Sequence, residues 1–164
     1  MSRVGIAVVG AGYWGPNLVR NFTTAERCSV RWVCDLDHER AAQLARRFGV
    51  ERATSRLEEV LEDPEVHGVA VATPVGTHSA IATAAIDAGK DVLIEKPLTD
   101  SLESGRRLVE HARSVRAILM VDHTFCYTSS VRYIRDLVAA ATWARSSTTT
   151  RFVSTSVSFR QTSM

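Results

Sequence analysis

The sequence predicts an α/β protein, a doubly wound parallel sheet of about six strands with helices on both faces. Three observations predict it. Short β-branched runs alternate with helical stretches from residue 4 to about residue 140. The strand runs are nearly continuously apolar, as strands covered on both faces must be. A glycine-rich turn also stands between the first strand and the first helix. The alternation implies right-handed βαβ crossovers.

Taken in order, "VGIAVVG" (4–10) is a buried strand and "GPNLVRNFTTA" (15–25) opens a helix. "VRWVCD" (30–35) is the second strand. "DHERAAQLARRFG" (37–49) is a helix, with Ala41, Leu44, Ala45 and Phe48 at helical spacing and Gly49 as its stop. A short extended piece near Ala53 precedes the helix "RLEEVLED" (56–63), which Pro64 closes. "GVAVATP" (68–74) is a strand, and "HSAIATAAIDAG" (78–89) is a helix ended by Gly89. "DVLIEKP" (91–97) is a strand. "SLESGRRLVEHARS" (101–114) is a helix with Ser101 as its N-cap. "AILMVDH" (117–123) is the sixth strand and "SVRYIRDLVAA" (130–140) the last helix.

The composition narrows the function. With 164 residues, 45% hydrophobic and 23% charged, the chain reads as one soluble globular domain. A net charge of +2, spread over Arg3, Arg20, Arg46, Arg106 and Arg132 among others, argues against a nucleic-acid partner. No stretch reaches the roughly 18 uncharged apolar residues of a membrane span. The apolar N-terminal run passes into a glycine turn with no A-x-A-type cleavage site, so no membrane or secretory role is expected. Cys28, Cys34 and Cys126 match no CxxC or zinc spacing and read as reduced thiols of a cytoplasmic protein, with no metal.

"VVGAGYWGPN" carries Gly10, Gly12 and Gly15 as GxGxxG, the turn of a Rossmann-type fold. Gly10 permits the tight turn, Gly12 lets backbone approach a pyrophosphate, and Gly15 allows helix and strand to pack closely. Phosphates would meet unpaired N–H groups at the positive end of a helix dipole. Tyr13 and Trp14, inside the turn, join this cofactor-binding set. Asp35, about 20 residues past the last glycine, ends the second strand. A carboxylate there accepts hydrogen bonds from both hydroxyls of an adenosine ribose and repels a 2′-phosphate, which favours NAD over NADP. Arg40, close by, softens that preference. A bland reading remains for Asp35, a solvated acid opening a helix together with Asp37.

The chain has 18 Arg and only two Lys, Lys90 and Lys96. Lys96 follows the fifth strand in "LIEKPLTD", and ligands of open α/β sheets bind at the carboxyl ends of strands. Its ammonium could hold a substrate oxygen and meet the charge that develops there. Lysine, unlike arginine, can also approach neutrality when desolvated. The alternative is a snorkelling surface lysine.

Together "VVGAGYWGPNLVRNF", "CDLD", "VATPVGTHSAIA", "LIEKPL" and "VDHTFCYTSSVR" resemble the glucose–fructose oxidoreductase/inositol dehydrogenase/rhizopine-catabolism (Gfo/Idh/MocA) family, from about residue 3 to residue 140. The resemblance implies an NAD(P)-dependent oxidoreductase acting on a small-molecule sugar, cyclitol or nucleotide sugar, with a nicotinamide domain and a second sheet domain. It implies that Thr73, Pro74 and His78 line the nicotinamide-ribose side. Glu95 and Lys96 match the family's EKP element, whose Lys is catalytic or substrate-binding and whose bond to Pro is often cis. His123 matches a substrate-side cleft position. A helix start alone is the other reading of His78, and a satisfied core imidazole the other reading of His123. Asp122 departs from the glycine of many relatives. Relatives are homo-oligomers through the second domain's sheet, so that assembly is not carried over to this chain.

Two regions are thus expected: a dinucleotide-binding domain over 1–140 and a Ser/Thr-rich tail over 141–164. From Thr142 to Met164, 12 of 23 residues are Ser or Thr, and neither His, Asp nor Glu occurs after residue 140. The Asp-x-x-x-His element that relatives carry in the second domain is missing from this chain. Relatives often continue "VAAGDLGE" where this chain reads "VAAATWAR". Deleting one G from GCC GCC GGC GAC CTG GGC GAG yields GCC GCC GCG ACC TGG GCG AG, which encodes Ala139 to Ala144 and then Arg or Ser. The expectation is therefore a shifted reading frame near residue 141, a poorly structured tail, and a chain that is inactive alone. A natural Ser/Thr-rich end is the other reading. A non-catalytic NAD-binding module, or a truncated remnant, is the competing function; the two classes part on whether a sugar drives NADH production that Lys96→Ala abolishes.

Overall fold

The computed structural model describes residues 3–139, which fall into two units divided after Asp122. The expected change of character at residue 141 lies outside the described residues. The first unit is built on one parallel sheet of β1 (Val4–Val9), β2 (Cys28–Cys34), β3 (Arg52–Thr54), β4 (Gly68–Val71), β5 (Asp91–Glu95) and β6 (Leu119–Asp122). The strands lie in the order β3-β2-β1-β4-β5-β6. This is the doubly wound Rossmann-type arrangement that the sequence predicts.

The helices are α1 (Gly15–Thr24), α2 (His38–Phe48), α3 (Leu57–Glu62), α4 (His78–Asp87) and α5 (Leu102–Val115). Alternation along the strands sends side chains to two layers. Val8, Val33 and Ala70 pack with Leu18 and Val19 of α1 and Ala41, Leu44 and Ala45 of α2. Ala7, Val9, Val69, Val71 and Ile94 pack on the other face with Val60 of α3, Ala82, Ala85 and Ile86 of α4, and Leu108 and Ala112 of α5. A valine side chain moved fully out of water contributes about 1.5–3 kcal/mol, so β1, buried on both sides, anchors the unit.

Local signals set the ends of the helices. Pro16 occupies the first turn of α1, where its missing N–H is no loss. Asp37 caps α2 by accepting the Arg40 N–H at 3.1 Å, a contribution of about 1 kcal/mol. Gly49 closes that helix at φ 70°, its N–H reaching the Ala45 and Arg46 carbonyls. Ser101 caps α5 as predicted, accepting from the Ser104 N–H.

Several strand boundaries differ from the sequence reading, three of them near the crevice or at the strand starts. β2 starts earlier, at Cys28. β4 stops at Val71: the Ala72 N–H makes a last bond to Val9 O, and Pro74, with no N–H to give a ladder, leads into a 3₁₀ turn over Val75–Thr77. The sixth strand ends at Asp122, so His123 is not part of it.

The second unit begins at His123. It holds a 3₁₀ turn over Thr124–Tyr127, closed by the Cys126 N–H on the His123 carbonyl at 2.9 Å, and α6 (Ser129–Ala139). Phe125, Tyr127 and Tyr133 are exposed. Among the described residues no helix is long and apolar enough to cross a membrane.

Candidate functional site

The chain leaves β1 into α1 on one face of the sheet, and leaves its neighbour β4 into α4 on the other. The two connections diverge, and a crevice opens between them at the carboxyl ends of the strands. The turn after β1 is pressed against the turn after β4. Gly10 has φ 102°, and a Cβ on it would stand 2.6 Å from the Ala72 carbonyl carbon, so no side chain fits. A Cβ on Gly15 would collide with the carbonyl oxygen of Gly10, so α1 starts directly against the turn. Around Gly12 the situation is reversed: nothing lies within 4 Å of where its Cβ would be. Two glycines are therefore required by protein, and the middle one borders open space. The N–H groups of Gly12, Tyr13 and Trp14 make no hydrogen bond among the described residues. Free donors at the start of a ten-residue helix suit a phosphate, and the turn fits a dinucleotide on these grounds. The rings of Tyr13 and Trp14 stack at 6.3 Å, with Tyr13 94% exposed.

Asp35 stands just past β2, beside this turn. Its Oδ2 accepts the Ala11 N–H at 2.7 Å, and its Oδ1 accepts the Asp37 N–H at 2.9 Å. Arg40 lies 3.6 Å from Oδ1 through Nη1 and 3.3 Å from Asp37 Oδ2 through Nη2. The Asp35 side chain is only 12% exposed, and Asp37 alone caps the helix. The solvated-acid reading of Asp35 does not hold, because its carboxylate is fastened to the glycine turn.

Across the crevice, the Thr77 hydroxyl lies 2.7 Å from both Thr73 Oγ1 and the Pro74 carbonyl oxygen, a local knot that shapes the end of the β4 turn. His78 begins α4 as the bland reading had it, but its ring is buried, 2% exposed. Nε2 stands 2.8 Å from the Thr73 carbonyl oxygen and Nδ1 3.0 Å from that of Pro97. Both ring nitrogens are taken up inside the protein, which corrects the expectation that His78 itself meets the cofactor.

Lys96 follows β5 and is exposed, and its peptide bond to Pro97 is cis. The other lysine, Lys90, is buried and donates to the Asp63 carbonyl at 2.9 Å. Glu95 is half-buried and lies opposite Asp122 in the β5–β6 register. Burial, and then the Asp122 carboxyl as hydrogen-bond partner and like charge, hold Glu95 above the usual carboxylate range, against the Lys96 N–H and ammonium. Its Oε1 is buried without a partner among the described residues.

His123 opens the second unit and is exposed, so it is not a core imidazole. A cavity of about 520 Å³ opens between Leu98, Thr99 and Ser101 and the Gly105, Arg106 and Val109 side of α5, and none of the predicted residues lines it. Sequence reasoning missed the Ala11 tether on Asp35 and the partnership of Glu95 with Asp122. The first is a backbone donor, without a signal in residue type. The second needs the strand register.

Residues 4–123 match the model of the oxidoreductase family with an NAD-binding Rossmann fold. The levoglucosan dehydrogenase of Pseudarthrobacter phenanthrenivorans is 32% identical over 139 residues, 80% of this chain and 36% of that protein. The NAD(+)-dependent scyllo-inositol 2-dehydrogenase of Bacillus subtilis is 36% identical over 121 residues, 73% of this chain and 35% of that one. Among solved structures, GenD2 from gentamicin A biosynthesis, in complex with NAD, matches with TM-score 0.81 at 39% identity, over 85% of this chain and 40% of that chain. The chain spans 35% to 40% of the length of these relatives.

Proposed function

The chain belongs to the Gfo/Idh/MocA oxidoreductase family, whose NAD-binding Rossmann domain it carries, and on that premise we propose that it serves hydride transfer between NAD and a carbinol of a sugar or cyclitol. The pyrophosphate lies on the turn of Gly10, Gly12 and Gly15, over the N–H groups of Gly12, Tyr13 and Trp14. Asp35 grips the adenosine ribose. Thr73 and Pro74 border the nicotinamide ribose. Bound NAD supplies the hydride acceptor. Lys96 would hold the oxygen of the substrate hydroxyl, its ammonium offsetting the negative charge that grows there as the hydride passes to NAD and the hydroxyl proton leaves to solvent water. Glu95 sets the local charge behind Lys96. The three free cysteines suit a reducing cytoplasm.

The observation that carries this reading is the Asp35 carboxylate, fastened beside the glycine turn by the Ala11 N–H. A positioned carboxylate with lone pairs to spare is what two vicinal hydroxyls require. Calorimetry with NAD and NADH tests it. Wild-type chain should bind, and Asp35→Ala should not under the same conditions. Equal heats from both proteins would refute the reading. Sugar- or cyclitol-dependent NADH production that Lys96→Ala abolishes tests the hydride-transfer step.

A further inference from the structure

The imidazole of His78 reaches two loops. One contact is to the Thr73 carbonyl, five residues back at the end of β4; the other is to the Pro97 carbonyl, 19 residues on, in the loop after β5. Starting a helix does not call for this arrangement, since the α4 N-terminus has no side-chain cap and any apolar residue would fill the volume. A buried imidazole without partners is costly. The ring is retained where its N–H meets a loop carbonyl outside any strand; a neutral ring donates to one of the two carbonyls at a time, and donation from Nδ1 to Pro97 joins the α4 start to the β5 loop.

We propose that His78 is a positioning residue, a brace between the β4 and β5 loops that fixes the backbone on which Lys96 is presented. The role of Lys96 itself rests on the functional reading above; the brace does not. A Pro97 carbonyl held against α4 fixes the Pro97–Leu98 peptide plane, and the proline ring, which locks φ, passes that restraint back to the Lys96–Pro97 peptide. Nε2 lies against the Thr73 carbonyl, so the same ring is packed between the end of β4 and the β5 loop. One such bond is small against the fold and large enough to choose among the conformers of one exposed lysine loop.

The full chain allows a clean test because it has two lysines, and buried Lys90 is an internal control. Heteronuclear NMR on labelled chain compares wild type with His78→Phe, which keeps a ring but no donor, and with His78→Gln, which keeps a donor. In His78→Phe the backbone order parameters of Lys96, Leu98 and Thr99 should fall from about 0.85 to about 0.6 or below. The Lys96 side-chain signals should move to unstructured positions, while Lys90 and β1 stay unchanged. His78→Gln should recover part of the order. The brace is overturned if the Lys96 loop keeps its order in His78→Phe. It is equally overturned if both variants loosen Lys90 and β1 as much as Lys96, since His78 would then be ordinary core. If wild-type chain binds no NADH, the functional reading of Lys96 falls, and the order parameters still decide the brace.

Discussion

Two carboxylates stand at the carboxyl edge of the sheet, Asp35 past β2 and Glu95 at the end of β5, and they are surrounded in opposite ways. Asp35 is met by two N–H groups and a guanidinium. Glu95 is met by burial and by another acid, with one oxygen left without a partner. Donors around the first hold its oxygens in place beside the glycine turn. The second is held above its ordinary value, a group that keeps a proton longer than its type suggests. Residue type alone would have treated the two acids alike; neighbours divide them.

The sharpest break of this contrast is Asp35→Ala. Two hydrogen bonds to a charged acceptor contribute about 1.5–3 kcal/mol each, so NADH affinity should fall about a hundredfold or more in titration calorimetry. Next is the choice of coenzyme. With Asp35→Ser the acid is gone and Arg40 keeps its place, so the NADP/NAD affinity ratio should rise about tenfold, and adding Arg40→Ala should cancel that rise.

Glu95→Gln acts on stability through pH. A carboxyl whose folded pKa is raised contributes stability that is complete below its ordinary value of 4.5 and is lost as pH rises through the folded value. Gln mimics the protonated carboxyl and does not titrate, so Glu95→Gln should match wild type in Tm near pH 4 and gain on it as pH rises through about 4.5 and above. Asp122→Asn should move that window down toward 4.5. The smallest effect belongs to Cys34, next to Asp35. Burial first, and then Asp35, Glu58 and Glu59, push its thiol up to about 11. Alkylation at pH 8, followed by mass spectrometry, should label Cys28 before Cys34, and Asp35→Asn should speed Cys34 only slightly because burial dominates.

What the sequence made legible is what the chain settles locally. The three glycines and Asp35 announce themselves because turn, helix start and strand end follow one another within 35 residues. The caps at Asp37 and Ser101 and the stop at Gly49 are equally local. The end of α5 was harder to read, because the residue in left-handed conformation is Arg116 at φ 60°, not a glycine. The partners of His78 are backbone carbonyls, which every residue carries, so no pattern of residue types could reveal them. Glu95 and Asp122 meet only once β5 and β6 are in register. His123 reads as part of a strand because it directly continues the run from Ala117 to Asp122, yet the strand stops one residue earlier.

The two apolar layers on either side of the sheet also differ in when they can exist. The layer under α1 and α2 is drawn mostly from Val8 to Val50, whereas the other must join Ala7 and Val9 to Leu108 and Ala112. A polypeptide emerging from the ribosome N-terminus first can therefore coat one side of β1 while the residues for the other are still untranslated. Until α5 is synthesised, the nascent sheet has a bare oily flank, and chaperone demand should peak in that interval. Pulse-labelled exchange during refolding should accordingly protect the amides of Leu44 and Ala45 before those of Leu108 and Ala112.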